Sequence, residues 1–364
     1  MVADESLLSG NKGEWSEIYV LLKLLNAGSL YFTDDNDKSK VRCYLIDKII
    51  RNDGLKTIEY SIDENLVAVK INGEKAATID TDYLESASRQ LFIEILNGKN
   101  SFALPEFQSI LESMDCLFFQ SKNKRNPYMS VIMHQKDSIT SSQIQFKIMS
   151  QIGSAPTVIN ASRSTNIEYI LDGNIDDEIM TAANNYFQSD SSSKIIDGML
   201  YLRTKKIRLM FNKTSNPIFQ ENLNAIDNKL PSLISDMMLL HYRDGIYRIK
   251  KQIDSINQFN RYNDKERTMI EKLLVNYLKG LKTAERWDSR EQSDIGIMVV
   301  NKDGSLLNYT SADSKEFRNY LINNTKTETP STKRHDYAYV YKRDGAYYIQ
   351  LNLQVRLITP SADC

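Results

Sequence analysis

Lys147 and Tyr128 are the two side chains whose placement most invites chemistry. Each sits in an alternating run, 128–134 and 143–149, with a QKDS turn between them. A turn centred near residues 137–138 places 128 opposite 147 and 130 opposite 145. One face of that hairpin then carries Met129, Val131, Met133, Ile144, Phe146 and Ile148. The other carries Tyr128, Ser130, Ile132, Gln145, Lys147 and Met149, the pattern of a half-buried sheet. An inward lysine on a central strand costs free energy unless it is paired, so Lys147 calls for an explanation. A tyrosine on a sheet face is more often ordinary packing than a nucleophile. Glu14 and Glu17 lie three apart on one face at the start of a helical stretch, where the helix dipole alone accounts for them. Asn160, Ser162, Arg163, Ser164, Thr165 and Asn166 form a dense set of short donors. They suit phosphates and base edges, or make a simple turn.

Other chemistries are missing from the sequence. The three cysteines, Cys43, Cys116 and Cys364, and the three histidines, His134, His241 and His335, are scattered. No zinc spacing, disulfide framework or serine triad follows from them. There is no GxxxxGK[ST], which argues against an ATP-driven enzyme.

The elements that must position these residues are legible from period and turn signals. The chain has 364 residues, 41% hydrophobic and 26% charged, which suits a globular protein of roughly two domains. No apolar run reaches the ~20 residues of a membrane span and no signal peptide is visible, so a soluble cytoplasmic protein is expected. Residues 14–27 read as an amphipathic helix ending at Gly28. Residues 29–81 read as short strands, with Asn72-Gly73 as a hairpin turn. Helix is expected over 83–115, interrupted near Asn97-Gly98 and Pro105, over 175–188 and 219–242 and, as one long stretch, over 248–282. A strand-like basic run is expected near 200–211, and strands return after residue 295.

Net charge is −1, yet its distribution is uneven. Between 117 and 167 the one acid is Asp137, against Lys122, Lys124, Arg125, Lys136, Lys147 and Arg163. Residues 198–220 hold Arg203, Lys205, Lys206, Arg208 and Lys213 and no acid. Such stretches either face polyanion phosphates or are balanced by acids packed nearby in the fold. The basic helix around Lys250, Lys251, Arg261, Lys265 and Arg267 and the 286–290 loop are open to the same two readings.

Three segments together resemble the HpaII-type family of type II restriction endonucleases. They are GEWSEIY with the following leucines (13–25), FKIMSQIGS with PTVINASRSTN (146–166), and YYIQLNLQVR (347–356). The resemblance implies an α+β fold with a PD-(D/E)XK nuclease-like core, a mixed sheet flanked by helices, with added N-terminal α+β and C-terminal helical and β parts. The expected divisions are a helix at 1–28 joining the core, an α+β subdomain at 29–115, the core at 116–215 and a recognition region at 216–364. It further implies Mg²⁺-dependent cleavage of duplex DNA at a short palindrome, with CCGG as the prior. A homodimer would match the two-fold symmetry of such a target, and a DNA methyltransferase would belong to the same system.

In that family pattern a hairpin carries an acid on its first strand and acid-x-lysine on its second. Hydrolysis of a phosphodiester uses such carboxylates to hold metal ions and the lysine to orient or deprotonate water. Here Tyr128 stands at the acidic position and Met149 where the lysine closes the motif. One accommodation takes Glu14 and Glu17 as the metal ligands, with Gln145 as a neutral ligand and Lys147 as the catalytic lysine. Another shifts the register by two and takes Asp137 with Gln145-Phe146-Lys147. Lys122, Lys124, Arg125 and the 160–166 segment are the expected DNA contacts. Three alternatives stand beside cleavage: a relative that binds DNA without cutting, an enzyme using Tyr128 and Lys147 without metal, and a structural protein.

Overall fold

The helix α1 (Lys12–Ala27) is built from both ends by local signals. Asn11 caps it, accepting from the Gly13 and Glu14 amides at 2.8 and 3.1 Å, while Glu14 Oε2 accepts from the Asn11 amide at 2.8 Å. This reciprocal pair satisfies donors that the first turn leaves without helical partners. Gly28, at φ 61°, ends the helix in the left-handed conformation. Between these ends the helix is buried almost all round from Trp15 to Leu25.

The computed structural model describes residues 7–34, 37–123, 127–136, 138–262, 264–287, 294–310 and 314–358. The chain divides into one unit of residues 1–156 with 292–317 and another of 157–291 with 318–364. Strands from 29–115 and 116–156 join in one sheet, so these units are cut differently from the divisions expected above. No helix among the described residues is long and apolar enough to cross a membrane.

In the first unit, β1 (Asp37–Asn52), β2 (Met129–Gln135), β3 (Ser141–Ser150) and β4 (Ile295–Val300) are consecutive strands of a nine-stranded mixed sheet. Leu306–Thr310 lies beyond β4, and Thr57–Asp63, Leu66–Ile71 and Glu74–Asp80 follow β1 as a meander. The Asn72-Gly73 turn closes the last of these hairpins, both residues at positive φ. β3 and β4 run parallel, and the pairs β1–β2 and β2–β3 run antiparallel.

Which face α1 covers follows from side-chain parity. Ser16 Oγ donates to Ser150 Oγ at 2.8 Å, placing α1 on the face that also bears Phe146 and Ile148. Trp15, Ile18 and Leu22 share one core with Met129, Val131, Phe146, Met298 and Val300. Lys147, Ile297 and Val299 alternate with these and point to the opposite face.

The second unit is built around a four-stranded antiparallel sheet in the order Arg208–Thr214, Asn166–Asp172, Ala346–Asn352, Val340–Arg343. Two expectations fail here. The 200–211 run is not one strand: helix Lys194–Thr204 ends within it, Lys206 turns at φ 60°, and the strand starts at Arg208. The 248–282 stretch is two helices, Ile249–Asn257 and Glu266–Leu278. Asn260 and Asp264 stand between them at φ 46° and 57°, a conformation that short polar side chains tolerate and that ends a helix.

Candidate functional site

The β2–β3 hairpin has the register that the alternation predicts. Ser130 pairs with Gln145 and Met129 with Phe146, so the next step brings Tyr128 opposite Lys147. Lys147 is also flanked by Ile297 of β4. It is half-buried, and burial lowers its pKa; no carboxylate opposes that shift among the described residues. Tyr128, likewise half-buried, has its phenol pushed up by burial. The site is therefore an amine of reduced basicity beside a neutral hydroxyl and the Gln145 amide.

Glu14 and Glu17 do not join this group, because α1 covers the other face of the sheet. Glu14 serves the N-terminal cap and pairs with Lys122 at 3.2 Å. Glu17 is 5% exposed, its Oε2 accepting from the Ser121 amide at 3.1 Å. Burial raises its pKa against the pull of Ser121 and of the Arg51 guanidinium. Arg51 is itself buried, donating to Cys116 Sγ and, at 2.6 Å, to the Phe118 carbonyl. Glu17 and Arg51 thus anchor the backbone of 118–121, and the ligand set of Glu14, Glu17, Gln145 and Lys147 is not assembled. The two-residue register shift is also excluded, since the observed register is the unshifted one; Asp137 itself lies outside the described residues.

The expected DNA contacts separate in a similar way. Lys122 is exposed and sits 5.0 Å from the Phe119 ring centre, while Lys124 and Arg125 lie outside the described residues. Asn160 and Arg163 are exposed. Thr165 and Asn166 are buried and turned inward. Thr165 Oγ1 donates to the Ser162 carbonyl at 2.9 Å and accepts from its amide at 3.1 Å. Asn166 donates to the His335 carbonyl and to Gln350 Oε1, both at 3.0 Å, and accepts from Asn352 at 2.6 Å. Both residues are corrected from DNA contacts to braces of the loop. Ser164 accepts from Asn216 at 3.3 Å, and the partly buried Ser162 keeps a hydroxyl without a hydrogen-bond partner among the described residues.

The family model for the HpaII restriction endonuclease matches residues 11–357, spanning α1, the hairpin and the final strands. The chain belongs to this family. It is 28% identical over 361 residues to "Type II restriction enzyme HpaII" of Haemophilus parainfluenzae, covering 96% of this chain and 99% of that protein. No solved structure matches.

A restriction endonuclease acts on DNA, and type II enzymes generally work with a divalent metal ion. The hairpin does not fit that ion by its own residues. Around Lys147 the side chains of β2, β3 and β4 supply Tyr128, Ser130, Gln145, Met149, Ile295, Ile297 and Val299, with no carboxylate. Hard cations are held by oxygen ligands that usually include one or two carboxylates. Among the described residues no group of three or more acids, histidines or cysteines could hold a metal ion.

One polar centre had no signal in spacing or composition. Glu168, 2% exposed, accepts from Arg343 at 2.9 Å with both oxygens, from Tyr341 at 2.6 Å and from Asn212 at 2.6 Å. Burial alone would raise its pKa, but these donors outweigh it and hold the carboxyl at about 2. Its partners come from two other strands, Arg208–Thr214 and Val340–Arg343, a grouping that only the tertiary fold creates.

Proposed function

We propose that this member of the HpaII family is a type II restriction endonuclease that hydrolyses duplex DNA at a short palindrome, with CCGG as the first sequence to test. The observation that carries the reading is Lys147, a half-buried amine on the central hairpin of a mixed sheet with no counter-carboxylate among the described residues. A lysine kept there at a cost in desolvation has a use for its amine, and a phosphodiester supplies the missing negative charge. Lowered basicity leaves more of it neutral near pH 7 than a free lysine, so it can orient or deprotonate the attacking water. Gln145 and Tyr128 flank it as hydrogen-bonding groups for water or phosphate. Lys122, Asn160 and Arg163 are the exposed groups proposed to meet the DNA; Lys124 and Arg125 belong to the same proposal by sequence. Mg²⁺ is the proposed cofactor from the class of enzyme.

A second reading, a relative that binds DNA without cutting, is favoured by one observation: the lysine face has no carboxylate among the described residues. Incubation of mixed-sequence plasmid with the full chain separates the two. Discrete fragments with Mg²⁺ and none with EDTA are expected. DNA retarded but intact in both conditions would give the second reading the case, and fragments surviving EDTA would point to a metal-independent use of Tyr128 and Lys147.

A further inference from the structure

The second unit contains a cavity of about 870 Å³ between the strand Arg208–Thr214, at the edge of its sheet, and the helices Lys194–Thr204, Leu230–Tyr242 and Ile249–Asn257. Its charged lining is four arginines, Arg203, Arg208, Arg243 and Arg261, against two acids, Asp236 and Asp244. Three of the arginines are held by carboxylates: Arg208 by Asp172 at 2.6 Å, Arg243 by Asp244 at 2.6 Å and Arg261 by Asp236 at 3.3 Å. Arg203 is exposed and has no ion-pair partner among the described residues. The acid-free run 198–220 contributes Arg203 and Arg208 to this rim; packing against Asp172 neutralises Arg208 and leaves Arg203 as the uncompensated charge.

Apart from Ser232, Ser235, Ser255 and Tyr262 the rest of the lining is apolar, and two members are unusually open: Phe259 is 71% exposed and Met210 52%. Arg261 lies 5.9 Å from the centre of the Phe259 ring. At the inner wall Ser235 is 1% exposed, and its hydroxyl has no hydrogen-bond partner among the described residues. A buried hydroxyl left unbonded costs free energy, and a ligand atom reaching it would remove that cost.

An apolar floor, an open aromatic ring, an arginine rim and an unused inner hydroxyl suit a flat, hydrogen-bonding ring joined to an anion. We propose that this cavity holds one nucleotide of an unpaired DNA strand, the base on Phe259 and Met210 and its phosphate at Arg203. The inference rests on the reading of DNA as substrate and adds a second place where DNA is held. The volume lies within the range of sites that enclose small ligands. Aromatic stacking with arginine contacts is the usual grip on unpaired strands. The nucleotide comes either from single-stranded DNA or from a base swung out of a duplex.

The test is fluorescence anisotropy on the full chain, with a labelled mixed-sequence 20-mer as single strand, as perfect duplex and as duplex with one mismatch. The single strand is expected to bind, and the mismatched duplex to bind more tightly than the perfect one if the base is drawn from a duplex. Phe259→Ala is expected to weaken the single strand about tenfold while Phe259→Tyr restores it. Arg203→Ala is expected to flatten the dependence of log K on log salt by about 0.7. Both side chains are exposed, so neither change threatens folding. Single-strand binding untouched by Phe259→Ala, or duplex bound while single strand is not, would overturn the inference and leave the nuclease reading standing. No binding to any of the three probes would remove both.

Discussion

Lys147 is a half-buried lysine whose charge is offset by no carboxylate among the described residues. Because its folded pKa is lowered, the proton it carries in the unfolded chain is disfavoured in the folded one. The stability linked to it is therefore present above the unfolded pKa of about 10.5 and is lost as pH falls through the folded value. Lys147→Met removes this penalty while keeping the side-chain volume. The variant should be at least as stable as the parent at pH 7, and its advantage should be larger at pH 7 than at pH 10.5 and above. Over the same comparison, cutting of plasmid should fall by about 10² to 10⁴-fold, as general acid–base groups typically contribute. Urea unfolding at several pH values, beside fragment yields, checks both halves. A variant less stable at pH 7 with unchanged cutting would make Lys147 a packing residue.

At the scale of elements, α1 shows what the sequence could and could not disclose. Its period and its glycine stop are local, and the helix ends where they predict, while its start lies two residues earlier, at the Asn11 cap. The hairpin was legible for the same reason: period-two alternation fixes both register and faces. What no local pattern states is which side of the sheet a helix covers, and that decided the fate of Glu14 and Glu17. The Glu168 centre was equally hidden, since residues 168, 212, 341 and 343 meet only through strand pairing. The position of Glu17 makes a discriminating prediction. Glu17→Gln keeps an oxygen for the Ser121 amide and relieves a buried carboxylate, so folding and cutting should both survive. Glu17→Ala leaves that amide without its acceptor and should cost about 1–3 kcal/mol, seen as a lower midpoint in denaturant. A Glu17→Gln protein that folds as well as the parent but no longer cuts would return Glu17 to the metal site.

For the whole molecule, charge and symmetry lead to one further expectation. A protein of net charge −1 gains no general attraction to DNA, so its grip must come from local basic groups such as Lys122, Arg163 and Arg203. Affinity should then fall steeply with salt, by roughly one unit of slope for each phosphate neutralised. If the target is a palindrome, the two half-sites are related by a two-fold axis, and a protein that reads both in one event presents each basic group twice. The slope for a cleavable duplex should accordingly be about double that for a duplex carrying a single half-site. Sedimentation of the same complexes should give two chains on the palindrome and one on the half-site. Equal slopes and one chain on each duplex would mean that the chain works as a monomer, cutting the two strands in separate encounters.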